Sequence, residues 1–246
     1  MIDNVTYRNK PNFKPSKDFF EHRDWKNGDL VCGIDEVGRG CLAGPLVVAA
    51  VILFADNRLK SLKDSKILTK EELLKISPRI LKTSWYSFAI VDNNDIDKIN
   101  IYQATLVAMR QAVLNLLATC PKLPKTILVD ALPLNLKNTA YEGIEIHNFP
   151  KGESLSRSIA AASIIAKVKR DSLMAKYDAV IPGYSFGQHK GYGTKIHQNA
   201  LSHLGDSILH RQSYLKKFSH LFIESNTNES TNNPSILQQS IFCRSD

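Results

Sequence analysis

Nothing in these 246 residues is long and apolar enough to cross a bilayer. The apolar runs reach about ten residues, where a spanning helix needs about twenty. Cysteine is scarce as well. Its four positions, Cys32, Cys41, Cys120 and Cys243, show neither CxxC spacing nor the density of a disulfide framework. A zinc site and a disulfide-stapled secreted fold are thereby set aside, and a reduced, cytoplasmic setting is expected. Residues 1–29 are polar and lack the apolar centre of a secretory signal. Acidic charge is the remaining shortage: 24 Asp or Glu face 32 Lys or Arg, a net charge of +8. Across residues 147–222, eleven Lys or Arg stand against four Asp or Glu. Such a basic third suits a polyanionic partner, because displaced counterions favour phosphate contacts. A solvated basic face has the same composition.

What is present is organised around residues 32–45, CGIDEVGRGCLAGP. An apolar approach over residues 30–34 reads as a buried strand ending in two carboxylates, Asp35 and Glu36. The glycine-bracketed arginine Gly38-Arg39-Gly40 follows, and then a second apolar run over residues 46–54. The two runs predict an antiparallel, hairpin-like pair. Further strands are predicted at residues 84–91, 125–129 and 144–149, the fourth stopping at Asp130. Residues 60–66 read as a polar loop. Thr69 and Glu72 form a capping-box pattern, and the helix they open should end or kink near Pro78. Asn100 caps the next helix, whose core stripe is Tyr102, Leu106, Met109, Val113 and Leu116. A long helix is predicted over residues 154–180, with Ala160, Ala161, Ala162 and Ser163 small enough for close packing on a sheet. Residues 183–193 form a loop, and residues 194–204 and 214–222 final helices. Residues 1–29 read as an arm. Residues 225–235, almost all Asn, Ser, Thr and Glu, cannot bury enough apolar surface to order themselves, so 223–246 is a flexible tail.

Two strands that end in acids suggest a shared site, since adjacent strand ends form the crevice where α/β proteins hold ligands. Alternation sends Asp35 and Glu36 to opposite faces, so both serve one site only if the strand stops there and the glycines turn the backbone. Three carboxylates in such a space repel: a pair about 4 Å apart costs roughly 4 kcal/mol at an effective dielectric near 20. A cation relieves that repulsion, and all-oxygen ligands favour Mg²⁺ or Mn²⁺ over zinc. Two such ions activate a water and stabilise the leaving oxygen of a phosphodiester. The plainer reading makes the same acids turn or cap residues.

These stretches resemble ribonuclease HII, the bacterial type 2 ribonuclease H, over residues 30–222. The matching segments are GIDEVGRGCLAGPLVVAAVIL, LKDSKIL, NIYQATLVAM, ILVDALPL, KGESLSRSIAAASIIAKVKRD, HKGYGTKIH and HRQSY, specific through their joint order and spacing. The resemblance implies an α/β, RNase H-like fold: a mixed five-stranded sheet flanked by helices, with a helical C-terminal part. It implies endonucleolytic cleavage of RNA in RNA–DNA hybrids and of single ribonucleotides in duplex DNA, leaving a 3′-hydroxyl and a 5′-phosphate. Asp35, Glu36 and Asp130 match the family's metal-binding acids. Gly38, Arg39 and Gly40 match the segment that reads the ribose 2′-hydroxyl and a neighbouring phosphate. Tyr192 matches the tyrosine that stacks on the junction sugar, with Lys190 beside it on the substrate. At the fourth acid the family pattern KGD becomes Lys151-Gly152-Glu153, one methylene longer. Asp171 is the rival for that role, but it lies about 27 Å along the predicted helix. Glu153 is the expected fourth catalytic acid, and Asp171 the local partner of Lys167. His189, His197 and His210 have no zinc spacing and read as structural or phosphate-facing.

The last residues, Gln238-Gln239-Ser240-Ile241-Phe242, resemble the pentapeptide by which bacterial proteins dock on the sliding clamp, with Gln238, Ile241 and Phe242 as anchors. A tethered peptide after a polar linker is ordered only on binding; a frayed chain end has the same look. The expectation is a monomer acting on hybrid and ribonucleotide-containing duplexes, with no membrane partner. Two alternatives stand beside it. One is the sister type, ribonuclease HIII, which prefers runs of ribonucleotides. The other is a hybrid-binding module with Glu153 as the lesion.

Overall fold

The computed structural model describes residues 16–54, 62 and 65–216. Five strands, β1 (Val31–Val37), β2 (Leu46–Leu53), β3 (Ser84–Val91), β4 (Thr126–Asp130) and β5 (Glu145–Phe149), form one sheet in the order β3-β2-β1-β4-β5. Strands β1 and β2 pair antiparallel, as the two apolar runs predict, and so do β2 and β3. The β1–β4 and β4–β5 pairs are parallel, which makes the sheet mixed.

Both faces of the sheet are covered, so β2 is buried along its whole length and its sequence LVVAAVIL is continuously apolar. Helix α3 (Asn93–Thr119) packs on one face, where Cys32, Ile34, Val48, Ala50 and Ile52 meet Ala108, Met109 and Val113. Helices α2 (Lys70–Lys82) and α5 (Arg157–Val180) cover the other, where Val47, Ala49 and Val51 meet Ala160, Ala161 and Ile164. Close approach is set at Gly33, where an added Cβ would overlap the backbone of Ser158 and Ile159. Beyond the sheet, α6 (Phe186–His189), α7 (Lys195–Leu204) and α8 (Gln212–Leu215) gather with Leu42, Ala43 and Met174 in a smaller core.

Several boundaries differ from the sequence expectation. Helix α2 opens on the predicted Thr69–Glu72 capping box but continues through Pro78 to Lys82. Burial of Leu73 and Ile80 on the α2 face holds it together despite the missing N–H. Asn100 does cap helical chain, its Oδ1 accepting from Tyr102 N (3.0 Å) and Gln103 N (3.1 Å). A helical segment nevertheless precedes it, so Asn100 is a break inside α3, at φ 64°. With ψ at 161° this is a strained conformation that chiefly glycine adopts, held here by the two hydrogen bonds to Oδ1. The predicted 154–180 helix is two elements. Glu153 lies on a short turn, α4 (Gly152–Leu155), and Ser156 (φ −133°, ψ 126°) separates it from α5, which Ser156 caps by accepting from Ile159 N.

Part of the N-terminal arm, whose order the sequence leaves open, is helical. Helix α1 (Phe19–Trp25) is docked by buried polar groups that no periodicity reveals. Asp18 accepts from the Arg157 amide and guanidinium (2.9 and 2.7 Å), and Glu21 accepts from Ser158 N (3.0 Å), capping α5. Arg23 bridges Asp24 and Glu145 across the start of β4 and β5. Among the described residues no helix is long and apolar enough to cross a membrane. The tail, most of the 60–66 loop, and residues 217–222 of the predicted last helix lie outside the described residues.

Replacing Gly33 with alanine should therefore cost about 3 kcal/mol, because the overlap is with backbone that no rotamer change relieves. Gly143→Ala, where a Cβ meets nothing, should stay within about 0.5 kcal/mol. Urea midpoints of the two variants check the contrast.

Candidate active site

The parallel pairing of β1 with β4 runs from Val31–Thr126 to Ile34–Val129 and stops. The next residues on the two strands are Asp35 and Asp130, so register alone sets both carboxylates at one level where the strands part. Both belong to the α5 face. Asp35 pairs with Ala49 of that core, and Asp130 lies two positions beyond Leu128, which packs on Ile159. Strand β1 does not stop at Asp35. It continues on β2 through Val37, which keeps Glu36 on the opposite face beside Val48. The opening that joins the acids is the end of β4, not a turn between Asp35 and Glu36.

Asp35 is 6% exposed. It accepts the Glu36 amide (2.8 Å) and a hydrogen bond from Ser163, whose Oγ lies 2.7 Å from Ser65 Oγ. Burial, and after it the charges of Glu36 and Asp130, hold its carboxyl well above the usual range. Burial raises Glu36 too, against the lowering effect of Arg39, whose Nη1 donates to Glu36 Oε1 at 3.3 Å. The other oxygen, Glu36 Oε2, is buried with no hydrogen-bond partner. Asp130 Oδ1 accepts the Gly152 amide at 2.8 Å, which pins the turn bearing Glu153 against β4. Glu153 is itself buried, 5% exposed. Asp171 bonds Lys167 (2.8 Å) one turn away on α5, as expected for the rejected rival.

As the side chains stand, no three His, Cys, Asp or Glu among the described residues are gathered closely enough to hold one ion. The expected triad of Asp35, Glu36 and Asp130 is electrostatically coupled but not closed. Like charges repel, and each carboxylate turns to a donor on its own side: Ser163, Arg39 and the Gly152 amide.

The loop of Gly38, Arg39 and Gly40 sits directly beside these acids on two buried arginines that the sequence reading left without a role. Arg170 and Arg211 are fully buried. Arg170 donates to the carbonyls of Pro45 (2.8 Å), Lys190 (2.7 Å) and Ala43 (3.1 Å). Arg211 donates to those of Gly38 (2.7 Å), Arg39 (2.9 Å) and Gly44 (2.8 Å). A Cβ at Gly38 (φ 97°) would overlap the Arg170 guanidinium. One signal was available: Ala166, Arg170 and Met174 recur every four residues on the buried side of α5.

Tyr192 is 40% exposed, its ring centroid 6.0 Å from the Arg170 guanidinium. Lys190 is half-buried, its Nζ turned to the Gly187 carbonyl, with Lys70 and Lys167 as charged neighbours. His189, His197 and His210 lie buried beneath this loop rather than facing phosphate. His197 Nδ1 bonds the Tyr192 carbonyl (3.0 Å), and its Nε2 lies 3.0 Å from His210 Nε2. Burial lowers the pKa of all three, that of His197 to about 4, so they prop the loop as neutral rings.

The family model for Ribonuclease HII matches residues 32–217. This chain belongs to the ribonuclease HII family. A Lactobacillus acidophilus ribonuclease HII is 45% identical over 196 residues, which is 79% of this chain and 74% of the relative. Among solved structures, the Archaeoglobus fulgidus RNase HII, in its complex with PCNA, is 26% identical with a TM-score of 0.64, over 78% of this chain and 96% of that one. Bst-RNase HIII in complex with Mn²⁺ shares the fold, with a TM-score of 0.68 at 22% identity over 89% of this chain and 77% of that one. The chain is a ribonuclease H, and the mixed five-stranded sheet flanked by helices is the family's fold.

Raised carboxyl pKa values make the folded state bind protons more tightly than the unfolded chain. Between the ordinary carboxylate range and the raised values, stability therefore falls as pH rises. Asp35→Asn, unfolded by urea in EDTA, should be more stable than the wild type at pH 7. The gain should shrink as pH falls toward about 4 and be gone below it, where the unfolded carboxylate is protonated as well. Equal midpoints across the range would contradict this electrostatic arrangement.

Proposed function

We propose that this ribonuclease H cuts the RNA of RNA–DNA hybrids and single ribonucleotides embedded in duplex DNA, leaving a 3′-hydroxyl and a 5′-phosphate. The observation that carries the reading is the adjacency of Asp35 and Asp130 at the parting of β1 and β4, beside a glycine loop clamped from below. The donors suit a hard divalent cation such as Mg²⁺ or Mn²⁺, all being oxygen. The raised pKa values of Asp35 and Glu36, and the unpartnered buried Glu36 Oε2, are features that a cation would relieve. Asp35, Glu36 and Asp130 would hold the ion, with Glu153 approaching from α4; the Mn²⁺ complex of Bst-RNase HIII, which shares the fold, supports a divalent ion. When bound, such an ion supplies a Lewis acid and a water of lowered pKa.

The protein's own groups orient the substrate. Gly38 and Gly40 bring backbone within reach of the 2′-hydroxyl, the group that distinguishes RNA from DNA. Arg39 trades its contact with Glu36 for phosphate, to which its fork is suited. Tyr192 offers an exposed ring to the junction sugar, and Lys190 adds charge to the backbone path. The setting is cytoplasmic and the working form a monomer. Gln238, Ile241 and Phe242, outside the described residues, dock on the sliding clamp; the Archaeoglobus fulgidus relative, solved with PCNA, supports a partner of that kind.

Duplex DNA with one ribonucleotide, in Mg²⁺ and then Mn²⁺, is the direct assay. Cleavage should vanish in EDTA. Asp35→Asn should lose about a thousandfold or more in rate, the several kcal/mol that metal charge stabilisation is worth, while binding the duplex nearly as well as the wild type. Near-normal turnover in that variant refutes the metal assignment, and cutting confined to longer RNA runs assigns the sister type's preference instead. Phe242→Ala should weaken clamp binding about tenfold, as removal of an aromatic anchor does; unchanged affinity removes the tail's role.

A further inference from the structure

Arg170 and Arg211 are costly residues for a core. Each is a fully buried guanidinium, and the charge of one is felt by the other, which lowers the Arg211 pKa after burial itself has done so. Well-packed apolar side chains would fill the same space without that desolvation. The acceptors they face are backbone carbonyls: Gly38, Arg39 and Gly44 around Arg211, and Ala43, Pro45 and Lys190 around Arg170. Five belong to the segment of residues 38–45, and the sixth to the loop that carries Tyr192.

In a trans peptide the N–H points opposite to the carbonyl of the same unit, and no peptide among the described residues is cis. Drawing the Gly38 carbonyl toward Arg211 therefore turns the Arg39 N–H away from it. Drawing in the Arg39 carbonyl does the same for the Gly40 N–H. Gly40 is exposed, so these two successive donors face out beside Glu36, where they form a concavity for an oxygen with partial or full negative charge. Tyr214 adds a further grip, its hydroxyl donating to the Arg39 carbonyl at 2.6 Å. Arg170 spans the two loops, and the Leu42 amide donates to the Gly191 carbonyl at 2.8 Å. The donor pair and the Tyr192 ring thus have a fixed separation.

We infer that Arg170 and Arg211 are positioning residues for ribose recognition: Arg211, by turning the Gly38 and Arg39 carbonyls inward, aims the Arg39 and Gly40 amides at the ribose hydroxyl and its phosphate, and Arg170, by spanning the two loops, sets their distance from Tyr192. The inference rests on the reading that these loops contact the junction ribonucleotide. Arg170→Lys and Arg211→Lys keep the charge but replace a rigid fork with a single ammonium that cannot hold three carbonyls in one plane.

The experiment compares kcat/KM on two duplexes of one sequence, with one ribonucleotide or four in a row, for the wild type, both lysine variants, Arg39→Ala and Tyr192→Ala. In the metal-free protein, amide exchange at Arg39 and Gly40 is followed with the one-ribonucleotide duplex and with an all-DNA duplex. In the wild type the two amides should exchange freely and become protected by the ribonucleotide duplex alone. Each lysine variant should lose about tenfold or more of the single-ribonucleotide preference, the scale of a misplaced contact, together with that selective protection, while melting cooperatively. Lysine variants that fold and keep both overturn the inference. If wild-type protection is identical on both duplexes and Arg39→Ala and Tyr192→Ala keep the preference, the reading of the loops fails first. Should the lysine variants not fold, strong protection of Arg39 and Gly40 in the free wild type overturns the inference by itself, since it would mean that those amides point inward.

Discussion

The parallel ladder between β1 and β4 is the constraint on which the site depends. It ends at Ile34–Val129, and the carboxylates follow at the next position of each strand. Neither acid is placed by a loop. Their separation is inherited from the interstrand spacing of a sheet covered on both faces. Gly33 tightens the arrangement by admitting the start of α5 onto β1, which brings Ser163 to Asp35 and, through Ser65, ties a distant segment to the same carboxylate. The turn with Glu153 is anchored to Asp130 itself through the Gly152 amide. Four acids from three separated stretches are in this way referred to one pair of strand ends.

Such a site works against the stability of the domain that carries it. Burial and mutual repulsion push Asp35 and Glu36 toward protonation, a cost that packing elsewhere must offset. Sites that hold charge in this way are where a fold gives up stability for function. The Glu36–Arg39 contact moderates the cost and links the acids to the glycine loop, so the arginine of that loop is also the counter-charge of Glu36. Beneath the loop, buried guanidiniums and neutral histidines fix backbone rather than one another's charge.

The strands, the mixed antiparallel start and the acids at strand ends were legible because apolar runs and the residues that stop them are local. The capping box at Thr69 was legible for the same reason. Pro78 and Asn100 misled in opposite ways. One was absorbed by packing, and the other capped a helix that another segment already preceded. The break at Ser156 was hidden because GESLSRS is compatible with helix throughout, and what separates α4 from α5 comes from afar: Asp130 on the Gly152 amide, and Asp18 and Glu21 on the amides of Arg157 and Ser158. Docking of α1 was illegible, since it rests on Asp18, Glu21 and Arg23 reaching partners more than a hundred residues away. Arg170 and Arg211 escaped because a lone arginine reads as surface, and nothing local tells that its acceptors will be carbonyls. The resemblance to ribonuclease HII reached the acids and the glycine loop but not the arginines that hold that loop.

Coordination of one ion jointly by Asp35, Glu36 and Asp130 is the central claim, and the side chains must leave Arg39 and Gly152 in part to achieve it. A crystal of the protein soaked in Mn²⁺, with anomalous scattering measured at the manganese edge, tests it most directly. The expected result is a peak within about 2.5 Å of an oxygen from each of the three acids, the distance of hard-cation ligation. A peak bound elsewhere, or one touching Asp35 alone while Glu36 stays on Arg39, would contradict it.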